Sequence, residues 1–509
     1  MNINNALISV YNKDGLEPLL EALERHNVNI YASSGTAQYI NNAGYTARST
    51  ESITGISRML GGRIKTINTE LFAGILARES DSTEDIPVVF DMVIVDLYPF
   101  EETLNNTDNH NEIIEKIDIG GISLIRAAAK NYKRVAVLSS KDRYSDVIEE
   151  MDFLHGELSL KTSKILAREA FALSSEYDSV ISLYLSGAGE KSSTDQSRTE
   201  SIQMEKIRDL RYGENPHQNA SIFRISDADI SIADFNILHG KEMSYNNYMD
   251  GDAAMNIAAG FSEPACAIVK HANPCGIGTY ETIAEAYELA HMSDPMSAYG
   301  SIVAINRPCD IQTAELINQN FVEIIIAPSF EEGAVDILTS KKNIRILEGA
   351  YSNAPEMNYR YITGSMLLQE RDNQPDNEFH FDTVSKRRPT EKEFEAMKFA
   401  WQAVRYVKSN AIVIASSHRT MGIGAGQMSR VDAVDIAIRK GGGSTAYTGG
   451  SALASDGFFP FADSIEKAYN AGIYAIIEPG GSRRDMEIIK ACDERDMALV
   501  FTGRRHFLH

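Results

Sequence analysis

The feature that most constrains the fold is an alternation of short apolar runs with helical patterns over the first 185 residues. The runs are ALISVY (6–11), VNIYAS (28–33), VVFDMVIVDLY (88–98) and RVAVLS (134–139). Strands that alternate with helices form parallel sheets that are covered on both faces. The pattern therefore predicts a doubly wound parallel α/β sheet, with ligands bound beyond the carboxyl ends of its strands.

A polar segment divides the chain. Residues 187–204 are rich in Ser and Gly and lack periodicity, which is typical of a linker. A chain of 509 residues is too long for one ordinary core, so we predict domains over 1–186 and 205–509. Within the second, ACAIVKHANPCGIGT (265–279) and NAIVIASSHRTMGIGAGQ (410–427) both combine a strand, a polar loop and a Gly-rich turn. This similarity indicates a diverged duplication.

Charge and cysteine usage restrict the partners. A net charge of −22 argues against nucleic acid, because its phosphates would be repelled. The sequence contains no run of 18 apolar residues and no signal-peptide pattern near its start, so we expect no membrane partner. Four scattered cysteines without CxxC spacing fit reduced thiols in the cytoplasm.

Several motifs of the first domain suit an anionic ligand. SSGTA (33–37) lies between a strand and a helix, where it either binds an anion or caps the helix. Lys13 could supply a cation to the same place. GGRIKT contains Arg63 and Lys65 in a Gly-containing turn that suits phosphate or a carboxamide, or is a solvated loop.

Two further motifs of the first domain could carry chemistry. In DLYPF, Pro99 ends a strand and leaves Tyr98 either to donate a hydrogen bond to a substrate or to close the core. IDIGG contains Asp118, which could orient an amide, and the helix that follows ends at Lys130. Lys130 either stabilises an oxyanion or is an ordinary cation at a helix C-terminus.

In the second domain, KHANPCG places Lys270 and His271 at the end of an apolar strand. Burial and the neighbouring charge could shift their pKa values and create an acid–base centre, although the pair could also be a polar strand end. In RYGENPHQ, Arg211 is a candidate phosphate clamp. EPGGSRRD (478–485) is a candidate anion nest, and the tail RRHFLH (504–509) has the composition of a frayed end.

Cofactor motifs are missing from the sequence. GIGAGQ lacks the last glycine of the dinucleotide fingerprint. A zinc deaminase needs HxE and PCxxC, and His155–Glu157 supplies only the first. We therefore expect chemistry that requires no metal.

Taken together and in order, these motifs resemble the bifunctional AICAR formyltransferase and IMP cyclohydrolase family of purine biosynthesis, over roughly 1–185 and 205–509. The resemblance implies a methylglyoxal-synthase-like cyclohydrolase domain. It also implies a formyltransferase domain of two cytidine-deaminase-like halves that divide near 385–395. The implied reactions are formyl transfer from 10-formyltetrahydrofolate to the 5-amine of AICAR and dehydrative closure of formyl-AICAR to IMP. A homodimer is implied as well.

Residue roles follow from the same resemblance. Lys270 and His271 match the transferase acid–base pair, and Asn410 matches the residue that holds the formyl oxygen. Other substrate or folate positions match Arg211, Tyr212, Asn246, Tyr299, Gly300, Glu323, Gln427, Asp456, Arg505, Phe507 and His509. The cyclohydrolase positions are Lys65, Tyr98, Asp118 and Lys130. Substrate binding, chiefly of the phosphate, falls to Lys13, Ser33, Ser34, Gly35, Thr36 and Arg63.

The sequence departs from the family pattern at Tyr11, Asn68, Thr69, Asp96 and Glu478. Because most of these lie in the first domain, one alternative is a transferase with an inactive N-terminal scaffold. A second alternative is a nucleotide sensor without catalysis, which would not need an acid–base pair.

Overall fold

The computed structural model describes residues 1–55, 66–185, 202, 204–225, 230–351, 357–372, 380–443, 447 and 449–509. The chain divides into two compact units, Met1–Ser201 and Ile202–His509. Of the predicted linker, only residues 202 and 204 are described.

The described strands of the first unit form one parallel sheet in the order β3-β2-β1-β4-β5. The strands are β1 (Asn5–Ser9), β2 (Asn29–Ala32), β3 (Ala47–Ser49), β4 (Met92–Val95) and β5 (Ala136–Leu138). The doubly wound fold is confirmed, and the apolar runs are continuous because both faces of the sheet are covered. The strand order reverses between β1 and β4, so the loops that follow these strands meet at the crevice where such folds bind ligands.

Amphipathic helices cover this sheet. In α1, Leu16, Leu19, Leu20 and Leu23 are buried at helical spacing against it. The helices are α1 (Leu16–Arg25), α2 (Ser34–Asn42), α3 (Glu51–Thr54), α4 (Thr69–Leu76), α5 (Phe100–Asn106), α6 (His110–Glu115), α7 (Gly120–Lys130), α8 (Tyr144–Phe153) and α9 (Leu160–Leu185).

The second unit contains two sheets of identical topology. The first has the order β10-β9-β11-β12-β13-β8 and the second the order β18-β17-β19-β20-β21-β16, with the same pattern of parallel and antiparallel pairs. The first sheet comprises β8 (Asn236–His239), β9 (Ala265–Lys270), β10 (Asn273–Thr279), β11 (Ser301–Ile305), β12 (Val322–Ala327) and β13 (Arg345–Glu348). The second comprises β16 (Asp382–Thr383), β17 (Ile412–Ala415), β18 (Thr420–Gly424), β19 (Ala452–Ser455), β20 (Ala475–Glu478) and β21 (Ala498–Phe501). The duplication is thereby confirmed.

Helices fill the space between the two sheets and cover their outer faces. Residues of α10 and α14 share one core with the inner faces of both sheets, and the outer faces pack on α11–α13 and α15–α17. These helices are α10 (Tyr245–Ala259), α11 (Ile283–His291), α12 (Ile311–Asn318), α13 (Ala334–Thr339), α14 (Glu391–Val404), α15 (Arg430–Lys440), α16 (Asp463–Asn470) and α17 (Asp485–Asp493). Two hairpins complete the unit, β6 (Met204–Leu210) with β7 (Ala220–Ile225) and β14 (Met357–Ile362) with β15 (Ser365–Glu370).

The two halves of this unit join along their edge strands β10 and β18. A bridge pairs Gly278 with Arg419, and the amide of Thr279 donates to the carbonyl of His418 at 2.8 Å. Each half therefore covers an exposed edge of the other. Among the described residues of the chain, no helix combines the length and hydropathy needed to span a bilayer.

Candidate active sites

The loops after β1 and β2 form the first candidate site. The Lys13 ammonium donates to the carbonyl of Tyr11 at 3.0 Å and to that of Val10. The Ser33 hydroxyl accepts from Ser9 at 3.1 Å and donates to Thr36 at 3.3 Å, and no side chain caps the first turn of α2. The SSGTA segment is therefore not an ordinary side-chain cap, and its helix N-terminus remains suited to an anion.

Ser34 and Gly35 of this segment leave the turn open. Ser34 donates its hydroxyl to Glu51 at 2.9 Å. A Cβ built on Gly35 would meet nothing within 4 Å. Open space beside a helix N-terminus is the geometry that a phosphate group needs.

Asp96 lies at the centre of the crevice between β1 and β4. Its carboxylate accepts the backbone N–H of Tyr11, and that of Asn12 at 2.7 Å. Burial raises the pKa of Asp96 above its ordinary value, against the effect of these two hydrogen bonds. The chain thus places one of its own carboxylates on the turn beside Lys13.

Tyr98 lies beside the same crevice, and Asp118 precedes the N-terminus of α7. The ring of Tyr98 packs edge-on against Tyr11, with centroids 5.4 Å apart, and the Lys116 ammonium lies 6.0 Å from the Tyr98 ring. The Asp118 carboxylate accepts the N–H of Gly121 at 2.7 Å. Lys116 is a cation that sequence reasoning missed, because nothing in its local pattern distinguishes it from a surface lysine.

Lys130 lies at the opposite end of α7 from Asp118. It ends α7, whose first residue is Gly120, and ten residues of α-helix span about 15 Å. Arg63 and Lys65 lie outside the described residues.

In the second unit, Lys270 and His271 lie where β9 turns into β10. Lys270 pairs with Asn273, so His271 and Ala272 form a two-residue turn, and both have φ of 55°. The carboxylate of Asp250 accepts the N–H of His271 at 3.2 Å and of Ala272 at 2.7 Å. The Lys270 ammonium donates to the carbonyl of Tyr299 at 2.8 Å.

Asn273 connects this turn to the segment that carries Asn410. Its side-chain oxygen accepts the N–H of Lys408 at 3.2 Å, and the carbonyl of Lys408 accepts from Gly426 at 2.7 Å. The amide group of Asn410 donates to the carbonyl of Gln427 at 2.8 Å. The turn with Lys270 and His271 and the strand start with Asn410 are therefore neighbours, although 140 residues separate them in the sequence.

A buried network fixes Asn410 and Asp456. The guanidinium of Arg430 donates to the side-chain oxygen of Asn410 and to the hydroxyl of Ser455, each at 2.8 Å, and pairs with Asp456. The hydroxyl of Ser409 donates to Asp456 at 2.6 Å. Arg430 begins α15, and no motif in the sequence singled it out.

Asn410 and Arg430 line a cavity of about 800 Å³. Its lining includes three of the predicted residues, Asn410, Arg505 and Phe507, and a loop of two glycines at 480–481. The tail is held in place, because Ser409 and Leu508 exchange hydrogen bonds of 2.8 and 3.1 Å. The composition of the tail is typical of a frayed end, but these hydrogen bonds order it, which agrees with the substrate positions that the resemblance implies there.

Of the other predicted substrate positions, Tyr299 contacts Lys270 through its backbone carbonyl. The ring of Tyr299 is tilted against that of Phe321 with centroids 5.0 Å apart, and Gly300 follows it with φ of 71°. Glu323 accepts from Arg345 at 3.2 Å. Arg211 lies over the ring of Tyr212, Asn246 donates to Glu214, Gln427 donates to Ala425, and His509 lies 6.1 Å from Phe507.

The comparisons with known proteins agree with this arrangement. A family model described as AICARFT/IMPCHase bienzyme matches residues 128–440, and one described as MGS-like domain matches 15–123. Proteins named bifunctional purine biosynthesis protein PurH are similar over nearly the whole chain. The one from Halalkalibacterium halodurans is 45% identical over 99% of both chains, and the one from Rhodopirellula baltica is 44% identical over 100% of this chain and 99% of its own. The one from Persephonella marina is 44% identical over 99% of both chains.

The chain belongs to the AICARFT/IMPCHase bienzyme family. As a member, it is a bifunctional enzyme with AICAR formyltransferase and IMP cyclohydrolase activities, which act in the last two steps of purine nucleotide synthesis. Its N-terminal fold is the MGS-like domain of the family, and a folate-type co-substrate fits the transferase activity.

The structure explains some departures from the family motifs. Asn68 caps α4, because its side-chain oxygen accepts the N–H of Glu70 at 2.8 Å, and Thr69 is the first residue of that helix. Tyr11 and Asp96 are joined through the backbone N–H of Tyr11. Asn68, Tyr11 and Asp96 therefore each have a structural partner in the first unit.

Glu478 is the departure in the second unit. It is fully buried at the end of β20, and one carboxyl oxygen accepts the N–H of Phe459 at 2.7 Å. The other oxygen has no hydrogen-bond partner among the described residues. Burial raises the pKa of Glu478 to about 8, so this bienzyme carries a neutral carboxylic acid behind the cavity at neutral pH.

Among the described residues, no three His, Cys, Asp or Glu side chains converge in a way that could hold a metal ion.

Proposed function

We propose that the second unit transfers the formyl group of 10-formyltetrahydrofolate to the 5-amine of AICAR, and that the first unit closes formyl-AICAR to IMP. The observation that carries this proposal is the convergence of the Lys270–His271 turn with Asn410 beside a cavity that Arg505 and Phe507 also line. The assignment places the cyclohydrolase domain over 1–186 and the transferase domain over 205–509.

In the transferase site, His271 is the proposed base that deprotonates the poorly nucleophilic amine. Lys270 stabilises the developing charge or protonates the folate nitrogen that leaves. Asn410 is the proposed donor to the formyl oxygen. In the described geometry its amide donates to the carbonyls of Gln427 and Met428, so binding of the formyl group requires one of these hydrogen bonds to be exchanged.

In the cyclohydrolase site, ring closure needs a cyclisable conformer and stabilisation of an alkoxide. Tyr98 and Asp118 are two of the proposed participants. Lys65 and Lys130 are the cations that the resemblance assigns. The open first turn of α2, with Lys13 nearby, is the proposed phosphate site. Lys116, whose ammonium lies 6.0 Å from the ring of Tyr98, is an additional candidate for the alkoxide.

The proposal includes a cytoplasmic homodimer whose chemistry requires no metal. The four unpaired thiols fit a reducing compartment. Sedimentation at assay concentration tests the dimer, and an active monomer would contradict it. Activity that is lost with a chelator and restored by zinc would contradict metal independence.

Single substitutions test the residue roles. Lys270→Ala and His271→Ala should abolish formyl transfer and leave closure of supplied formyl-AICAR nearly intact, since the two residues lie in the second unit. Equal loss of both activities in a folded variant would contradict the assignment. A protein that makes formyl-AICAR but never accelerates its closure would instead be a transferase with an inactive N-terminal scaffold.

A further inference from the structure

The turn that carries His271 has an unfavourable backbone conformation. His271 and Ala272 both have φ of 55°, in the left-handed region that glycine and asparagine prefer. Each such residue that is not glycine costs on the order of 1 kcal/mol or more. Something in the surrounding structure must therefore stabilise this conformation.

The topology of the hairpin does not impose it. The second half contains the equivalent hairpin, in which the N–H of Ser416 donates to the carbonyl of Arg419 across the two-residue turn Ser417–His418. Among the described residues other than glycine, His271 and Ala272 of the first turn have positive φ, whereas Ser417 and His418 of the second turn do not. The left-handed turn is therefore specific to the half that contains Lys270 and His271.

The groups that distinguish the first turn are the two oxygens of Asp250. One accepts the N–H of Ala272 at 2.7 Å, and the other accepts the N–H of His271 at 3.2 Å. Hydrogen bonds from backbone N–H groups to a carboxylate are charge-assisted and stronger than neutral ones. Asp250 projects from α10, which packs on β9 and β10, so the carboxylate has a rigid support.

We propose that Asp250 is a positioning residue of the formyltransferase site. Its carboxylate holds the His271–Ala272 turn in the left-handed conformation and thereby fixes where His271 stands relative to Lys270. Without the carboxylate, the turn relaxes towards the unstrained conformation of its counterpart at 417–418. This proposal depends on the proposed role of His271.

The test compares Asp250→Ala with the double variant Asp250→Ala/Ala272→Gly. The single variant should lower kcat for formyl transfer by roughly ten- to a hundredfold, because small displacements of a catalytic group have effects of this size. Glycine adopts φ of 55° without steric cost, so the double variant should recover most of the kcat of Ala272→Gly alone. Closure of supplied formyl-AICAR, measured on the same preparations, should not change.

Asp250→Asn keeps the side-chain volume and one acceptor oxygen, and should give an intermediate kcat even if the alanine variant fails to fold. An unchanged kcat in Asp250→Asn and Asp250→Ala would overturn the proposal. So would a loss that Ala272→Gly does not reduce. His271→Ala tests the proposed base separately from Asp250. Substantial formyl transfer by that variant would contradict the proposed role of His271, whatever Asp250 does.

Discussion

At the scale of single residues, several carboxylates each bind a pair of adjacent backbone N–H groups in a loop or turn. Asp96 binds those of Tyr11 and Asn12, Asp250 those of His271 and Ala272, and Asp485 those of residues 481 and 482. The EPGGSRRD segment was a candidate nest for an external anion, and its N–H groups are instead bound by its own Asp485. A chain with a net charge of −22 uses part of that charge to order its loops.

Glu478 gives a prediction for stability against pH. Its pKa is about 8 in the folded chain and 4.5 ordinarily, so between these values the folded state retains a proton that the unfolded state releases. Its contribution to the free energy of unfolding is complete below pH 4.5 and falls by about 1.4 kcal/mol per pH unit up to pH 8. Glu478→Gln should remove this dependence, so its Tm relative to the parent should rise from pH 5 to pH 8.5.

Thermal unfolding of both proteins across this pH range measures the effect. Glu487→Gln is a matched control, because its carboxylate is exposed on α17 and should leave the pH dependence as in the parent. Parallel Tm curves for Glu478→Gln and the parent would show that Glu478 does not retain its proton in the folded chain.

Asp96 gives a prediction for substrate affinity. An ionised carboxylate beside the proposed phosphate site repels the phosphate, and an amide of the same size does not. Asp96→Asn should therefore lower KM for formyl-AICAR severalfold at neutral pH. Because burial raises the pKa of Asp96, the advantage should shrink as pH falls and the parent carboxyl takes up its proton. Equal KM values of the variant and the parent at neutral pH would show that the charge of Asp96 does not affect substrate binding.

At the scale of elements, the repeated Gly-Ile-Gly of the two halves has a packing role. A Cβ on Gly276 or Gly422 would lie 2.0 Å from a carbonyl oxygen of the covering helix, that of Ala290 in α11 or of Ala437 in α15. These glycines let β10 and β18 approach their helices closely. GIGAGQ lacks the dinucleotide fingerprint, and close helix packing accounts for its first two glycines.

This close approach predicts matched effects in the two halves. Gly422→Ala and Gly276→Ala should each destabilise the second unit by about 3 kcal/mol or more, because backbone must move to admit the methyl group. Denaturant unfolding measures both values. A loss below 1 kcal/mol in either variant would contradict the close packing.

Strands and helices of the first unit followed from apolar periodicity, but their ends did not. The apolar run 88–98 holds a strand, as expected, but that strand covers only 92–95. Lys270, His271 and Asn410 could be selected from their motifs. Asp250, Arg430 and Lys116 could not be selected in this way. Their contacts are with residues that are distant in the sequence, or with a turn whose conformation the sequence does not reveal.

At the scale of the whole molecule, two compact units match two activities. A fragment of residues 1–198 should therefore fold and convert formyl-AICAR to IMP, with weakened apparent affinity because Tyr11 and Asp96 crowd the proposed phosphate site. Lys65→Ala in this fragment should lower the rate on the order of a hundredfold, the usual cost of losing an oxyanion-stabilising group. A folded fragment that binds nucleotide without accelerating closure would favour the scaffold alternative.

We propose that one chain performs two reactions in separate units, with the Lys270–His271 turn needed only for the first. The test supplies the purified enzyme with AICAR and 10-formyltetrahydrofolate and follows formyl-AICAR and IMP separately, for the parent and for His271→Ala. We expect IMP from the parent, no formyl-AICAR or IMP from the variant, and IMP from the variant once formyl-AICAR is supplied. Formyl-AICAR production by His271→Ala at the parental rate would show that the turn does not carry the transferase chemistry, and failure of the folded variant to close supplied formyl-AICAR would show that the two sites are not independent.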